Sequence, residues 1–168
     1  MLLYHGSNMV VEAPQLIGQV RGLDFGAGFY LTSNENQAVR FSEIVRSRRK
    51  GGVSTVSVYG FDADAAEATL AVRRFESADS VWLRFVADNR LLTYEGPIYD
   101  VVIGAVANDT VMPAIQAFLG GFITEEATLV TLKTSKLVDQ FCLKSKEALS
   151  LLRFQNSYKV ERRVPDEQ

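Results

Sequence analysis

The chain has 168 residues, 47% of them hydrophobic and 23% charged, the size and balance of one globular domain with a substantial core. Its 18 basic and 20 acidic side chains leave a net charge of −2, which excludes a global field of the kind that draws nucleic acid or anionic membranes. The single cysteine, Cys142, allows no internal disulfide; set between Phe141 and Leu143, it reads as a buried thiol in a reducing compartment. Polar His5-Gly6-Ser7-Asn8 follows the N-terminus too soon for a signal peptide, and no apolar run approaches the roughly 20 residues of a membrane span. A cytoplasmic location with no membrane partner is the expectation.

Leu2-Leu3-Tyr4-His5 reads as a first strand, and Gly26-Ala27-Gly28 leads into a second, Phe29-Tyr30-Leu31-Thr32. From Glu35 to Lys50 the spacing places Ala38, Phe41, Ile44 and Val45 on one helical stripe, stopped by Gly51-Gly52. Val53 to Phe61 is rich in β-branched residues and reads as a strand, with Ala68 to Phe75 as a further strand in hairpin-like pairing with it. Ser77 is placed to cap a helix carrying Val81, Trp82, Phe85 and Val86, with Asp79 favouring its positive end. Tyr99 to Val106 is a continuous apolar strand, central in its sheet. Asn108-Asp109-Thr110 forms a cap-like turn before Val111 to Phe118, and a helix runs from about Glu125 to Leu132. A short strand covers Phe141 to Leu143, and Ser145 caps Lys146 to Leu152. Strands and helices alternate without a regular βαβ repeat, so the fold class is α+β. With four scattered prolines and no linker-like stretch, residues 1–156 read as one domain, followed by a charged C-terminal tail, 157–168.

His5 is the only histidine, which removes metal sites built on two imidazoles and the usual Cys/His zinc clusters; no metal is expected. At a strand end before Gly6-Ser7 it can present its ring to a cleft while Gly6 lets a ligand near the backbone, and a purely structural histidine is the competing reading. Gly26-x-Gly28 precedes a strand instead of opening a helix, so it is no dinucleotide fingerprint; alone it reads as a glycine-hinged turn. Arg46, Arg48, Arg49 and Lys50 read first as a solvated helix end and alternatively as a docking patch for a phosphate-bearing molecule. Arg21, just before the glycine turn, is the better phosphate candidate. The sequence lacks the nucleophile elbow, the P-loop, the H-E-x-x-H zinc motif and the EF-hand loop.

Tyr4-His5-Gly6-Ser7, then Phe25-Gly26-Ala27-Gly28-Phe29-Tyr30-Leu31-Thr32, then Asp139-Gln140-Phe141-Cys142-Leu143 resemble, in order and strand context, the three motifs of the ADP-ribosyltransferase superfamily in its His-Tyr-Glu branch. More closely, the chain resembles a bacterial group known only as domain-of-unknown-function family 3990, also through Tyr99-Asp100-Val101-Val102-Ile103-Gly104 and Val106-Ala107-Asn108-Asp109-Thr110. The resemblance implies a split, mainly antiparallel β core with flanking helices, around a cleft that holds the nicotinamide end of NAD. On it, His5 bonds a hydroxyl of the nicotinamide ribose, the Gly6 backbone reads the carboxamide, and Tyr30 stacks on the ring. Ser7, Arg21 and Gly28 join them as NAD-binding positions, and Asn36 stands where relatives often have a serine contacting the amide.

The reaction so implied breaks the nicotinamide–ribose bond and passes ADP-ribose to an acceptor. Gln140 occupies the place of the glutamate found in many relatives, and an uncharged amide serves as neither cation stabiliser nor general base, which argues against polymer formation. Single transfer to an unidentified protein, nucleic-acid or small-molecule acceptor is the favoured reading. Its alternatives are a base supplied by Asp109 or Glu147, NAD hydrolysis, and a module that binds NAD or another nucleotide without turnover. The resemblance further suggests a toxin-type effector restrained by a small antitoxin-like partner.

Overall fold

The computed structural model describes residues 1–16, 22–107, 110–135 and 137–161. The described elements run β1 (Leu2–Ser7), β2 (Phe29–Leu31), α1 (Glu35–Arg49), β3 (Thr55–Phe61), α2 (Ala63–Thr69), β4 (Val72–Arg74) and α3 (Ser80–Leu91). There follow β5 (Val101–Ala105), α4 (Met112–Leu119), α5 (Glu125–Thr134), β6 (Asp139–Leu143), α6 (Lys146–Ser150) and β7 (Leu152–Lys159). The fold class is α+β, with a three-stranded sheet in the order β1-β3-β7 and a four-stranded sheet in the order β2-β6-β5-β4. All pairings are antiparallel except β4 with β5. Among the described residues, no helix is long and apolar enough to cross a membrane.

Strand alternation explains how the layers stack. Leu3, Tyr59 and Phe61 of the first sheet bury themselves against Phe29, Leu31, Val101, Ile103, Phe141 and Leu143 of the second. Edge-to-face aromatic pairs cross that interface, Phe29 with Tyr59 at 5.9 Å and Phe61 with Phe141 at 6.3 Å. On the outer face of the four-stranded sheet, Val102 and Cys142 meet Trp82, Leu83, Phe85 and Val86 of α3, with Ile115 and Leu132 behind them. The Trp82 indole is fully buried and donates its Nε1–H to the Ala105 carbonyl at 3.1 Å, fixing α3 against the end of β5. Val56 and Val58 turn the other way, onto Ala38 of α1.

Several local expectations are corrected. Ala68–Phe75 is not one strand paired with β3: Asp62 caps an alanine-rich run, accepting from the Ala65 N–H, and these good helix formers make α2 before β4 joins β5 in parallel. The cap of α3 is Asp79, which accepts from the Trp82 N–H at 3.0 Å, and not Ser77. Helix α1 is closed by Lys50 itself in the left-handed region, φ 52°, one residue before the glycines. Its buried residues are Ala38 and Ser42, while Phe41 is exposed, because the helix lies too close to β1 for a large side chain. The tail begins later than residue 157: β7 continues to Lys159, with Ser157 opposite Ser57 and Tyr158 opposite Val56.

Candidate functional site

The two sheets meet at one bridge. Tyr4 and Thr32 exchange both backbone hydrogen bonds, at 2.9 and 3.0 Å, as an isolated antiparallel bridge between β1 and the end of β2. His5 is the next residue of β1 and its ring enters the gap. Its Nδ1 lies 2.7 Å from the Tyr30 carbonyl, and its face rests on the Phe29 ring with centroids 4.4 Å apart. A carbonyl only accepts, so Nδ1 carries the proton and a neutral ring keeps its lone pair on Nε2. Burial pushes the imidazole below its ordinary value; the Tyr30 carbonyl acts against that shift and the charge of Arg49 acts with it. His5 is therefore an uncharged hydrogen-bond acceptor near neutral pH.

Tyr30 leaves β2 on the face that packs against the outer core, across from Cys142. Its hydroxyl accepts from the Phe25 N–H at 3.1 Å and donates to the Gly26 carbonyl at 2.6 Å, so the side chain ties down the glycine turn that precedes its own strand. Burial, ahead of the neighbouring Cys142, raises the phenol well above the ordinary tyrosine value. Lys144 holds the same turn from the other side, donating to the Phe25 carbonyl and, at 3.0 Å, to that of Ala27. Gly26 takes φ 78°, a conformation that favours glycine. Beside the turn, Gly26, Ala27, Asn89, Leu92, Tyr94 and Lys144 line an open depression of about 240 Å³.

Gln140, two residues before Cys142 on β6, points to the same face as Tyr30. It is buried, and its Nε2 donates to Asp24 Oδ2 at 3.3 Å. Asp24, also buried, accepts the Ala107 N–H on Oδ2 at 3.1 Å and pairs through Oδ1 with Arg90, whose Nη2 is 2.5 Å and Nε 2.6 Å away. Neither Asp24 nor Arg90 belongs to a motif that the sequence singles out. The available signal was a lone acid set into the apolar Leu23-Asp24-Phe25-Gly26; Arg90 is the second arginine of amphipathic α3, after Arg84, and does not stand out.

A family model described as a protein of unknown function (DUF3990) matches residues 1–154, a span that holds His5, Asp24, Tyr30, Arg90 and Gln140. The chain belongs to the DUF3990 family. No curated protein and no solved structure matches it.

Within this DUF3990 fold, His5, Tyr30 and Gln140 lie on β2 and its neighbours, but no hydrogen bond or ring contact joins their side chains directly; His5 reaches Tyr30 through the backbone. Gly6 is buried against α1: a Cβ there would stand 2.0 Å from the Ala38 carbonyl oxygen and 2.8 Å from the Ser42 nitrogen. Helix packing thus demands glycine at position 6 irrespective of any ligand. The same holds at Gly28, where a Cβ would meet Cys142 Sγ at 2.4 Å. Ser7 is buried at the end of β1 opposite Thr55. Asn36 is exposed in the first turn of α1, whose cap is Asn34, accepting from the Gln37 N–H at 3.1 Å. Arg21 and Asp109 lie outside the described residues.

The alternative base Glu147 is exposed on α6, beyond the end of β6 opposite to Gln140, and so is not brought to the site. The basic end of α1 does reach the β1 terminus, where Arg49 Nη1 donates to Asn8 Oδ1 at 3.3 Å. Among the described residues, no group of three or more His, Cys, Asp or Glu is placed to hold a metal ion.

Proposed function

We propose that this DUF3990 protein binds NAD at the split between β1 and β2, breaks the nicotinamide–ribose bond and transfers ADP-ribose to an acceptor. The observation that carries the reading is His5: a neutral imidazole anchored through Nδ1 to the Tyr30 carbonyl at 2.7 Å, with Nε2 left as an acceptor for a ribose hydroxyl. Support comes from the glycine turn, pinned by the Tyr30 hydroxyl and Lys144, and from Gln140 on the face that Tyr30 shares.

In the reaction, the C–N bond breaks with its electron pair passing to the nicotinamide nitrogen, so nicotinamide leaves as a neutral base. The ribose carbon, left oxocarbenium-like, is captured by a nucleophile that gives up a proton. His5 orients the ribose by accepting its hydroxyl proton in a hydrogen bond, Tyr30 supplies the aromatic wall of the nicotinamide subsite, and Gln140 holds a second hydroxyl. None of these groups carries a charge with which to activate the nucleophile, so the acceptor must be intrinsically reactive or bring its own base.

Incubating the full chain with NAD labelled in its adenylate half, with and without cell lysate, tests the reading. Nicotinamide release with labelled adducts in lysate, abolished by His5→Ala, is the expected result. Free ADP-ribose as the main product would assign water as the acceptor. Saturable binding without any release would favour a binding module, and release untouched by His5→Ala would refute the assignment of the site.

A further inference from the structure

Asp24 accepts from Arg90, Ala107 and Gln140, and none of the three sequence motifs includes it. Oδ1 is neutralised by Arg90 at 2.5 and 2.6 Å, and Oδ2 receives the Ala107 N–H at 3.1 Å and the Gln140 amide at 3.3 Å. Both Asp24 and Gln140 are about nine-tenths buried or more, at 6% and 7% exposure. The chain continues from Asp24 into Phe25 and Gly26, the two residues whose backbone groups the Tyr30 hydroxyl grips. One carboxylate therefore connects α3, the glycine turn and β6.

We propose that Asp24 is a positioning residue that fixes the orientation of the Gln140 amide, holding Nε2 inward and turning Oε1 out as the acceptor for a ribose hydroxyl. The direction of the amide follows from chemistry. A primary amide has two ends of nearly equal shape, one donor and one acceptor, and rotates between them easily. An ionised carboxylate accepts only, so a flipped amide would set Oε1 against Oδ2 with no proton between them. Among the described residues no hydrogen bond engages Gln140 Oε1, which suits an end kept for a ligand.

The same contact explains why this chain carries an amide at position 140. A carboxylate there would face Asp24 at close to 3.3 Å, and among the described residues Arg90 is the cation paired with Asp24. Two carboxylates so placed do not both ionise near neutrality; one keeps a proton. The remaining titratable groups that face Asp24 do not relieve this pair. The Tyr30 phenol from β2 is raised, and the Cys142 thiol from β6 is pushed up to about 11, in both cases mainly by burial, so both are neutral near pH 7. The charge at Asp24 and the amide at Gln140 thus form a matched pair. The ribose role rests on the NAD reading above; the coupling between the two residues does not.

The experiment compares the full chain with Gln140→Glu, Asp24→Asn and the double variant Asp24→Asn/Gln140→Glu. Thermal unfolding is followed from pH 5 to pH 8, and nicotinamide release is measured in parallel. For Gln140→Glu, the introduced carboxyl has its folded-state value raised by Asp24 and by burial, so the folded state binds more protons and stability falls as pH rises. The expected result is a melting temperature that drops with pH relative to the parent, and a double variant in which that drop is clearly smaller because only burial still raises the carboxyl. Asp24→Asn frees the amide to flip and raises KM for NAD about fivefold, the worth of one neutral hydrogen bond, with kcat changed less.

A Gln140→Glu variant with the parental pH profile, or a double variant that keeps the full drop, overturns the proposal. If Asp24→Asn folds poorly because Arg90 loses its partner, the double variant, whose introduced carboxylate offers Arg90 another one, still decides it beside Gln140→Glu. A parent chain that neither binds nor cleaves NAD while the pH coupling holds refutes the NAD reading and leaves the Asp24–Gln140 coupling supported.

Discussion

Replacing Tyr30 by phenylalanine removes a single oxygen and, with it, two ties on the glycine turn. The hydroxyl donates to the Gly26 carbonyl at 2.6 Å and accepts from the Phe25 N–H at 3.1 Å. Phe25 is fully buried, with its ring 6.2 Å from Phe75 and 6.0 Å from Phe85. Losing the donated bond costs about 1 kcal/mol net, and leaving a buried N–H unpaired costs roughly another 1–3 kcal/mol. Water reaching the turn from the open side, beside exposed Ala27, holds the total near the low end, about 2 kcal/mol. For a domain of this size each kcal/mol shifts the melting temperature by roughly 2–4 °C, so scanning calorimetry should show a fall of about 4–8 °C. The ring is kept, so NAD binding weakens less in this variant than in Tyr30→Ala. A melting temperature within about 1 °C of the parent would refute the claim that the hydroxyl staples the turn.

Three further outcomes follow from the same geometry. Gly6→Ala drives a Cβ to 2.0 Å from the Ala38 carbonyl oxygen, and lifting α1 off β1 should cost at least about 1–3 kcal/mol, read as a lower urea midpoint; an unchanged midpoint would contradict the packing. His5 has its folded-state value lowered by burial, so the unfolded chain takes up its proton first, and stability falls as pH drops below about 6.5. His5→Gln should flatten that part of the stability profile, and an identical slope in both proteins would count against a buried neutral ring. The Cys142 thiol, pushed up to about 11 by burial, should react with iodoacetamide only on unfolding; rapid labelling of the folded chain at pH 8 would contradict its placement.

Local patterns read well wherever one residue type decided the outcome. Asp139–Leu143, Val101–Ala105 and Glu125–Thr134 lie within a few residues of their expected bounds because apolar runs and helical spacing both spoke for them. Strand β7 was harder to see, since its residues, from Arg153 to Lys159, are mostly polar and only partly buried as the outer strand against β3. The Ala63–Thr69 helix was masked by the β-branched and aromatic neighbours on either side. At the site, solitary His5 and the Gly26-x-Gly28 turn were visible as chemistry-bearing features. The Asp24–Arg90–Gln140 link was not, because it joins residues separated by 66 and 116 positions, a pairing that only the tertiary fold creates. Gly6 illustrates the opposite hazard: its glycine looks like an allowance for a ligand, yet the close approach of α1 already requires it.

The most direct measurement is a calorimetric titration of NAD into the full chain and into His5→Ala, each first shown to be folded, with nicotinamide quantified in the same samples. The account predicts saturable binding and nicotinamide release by the parent chain, with both lost in His5→Ala. A folded parent that gives no binding heat and no nicotinamide at millimolar NAD, or a His5→Ala variant that behaves as the parent does, would contradict it.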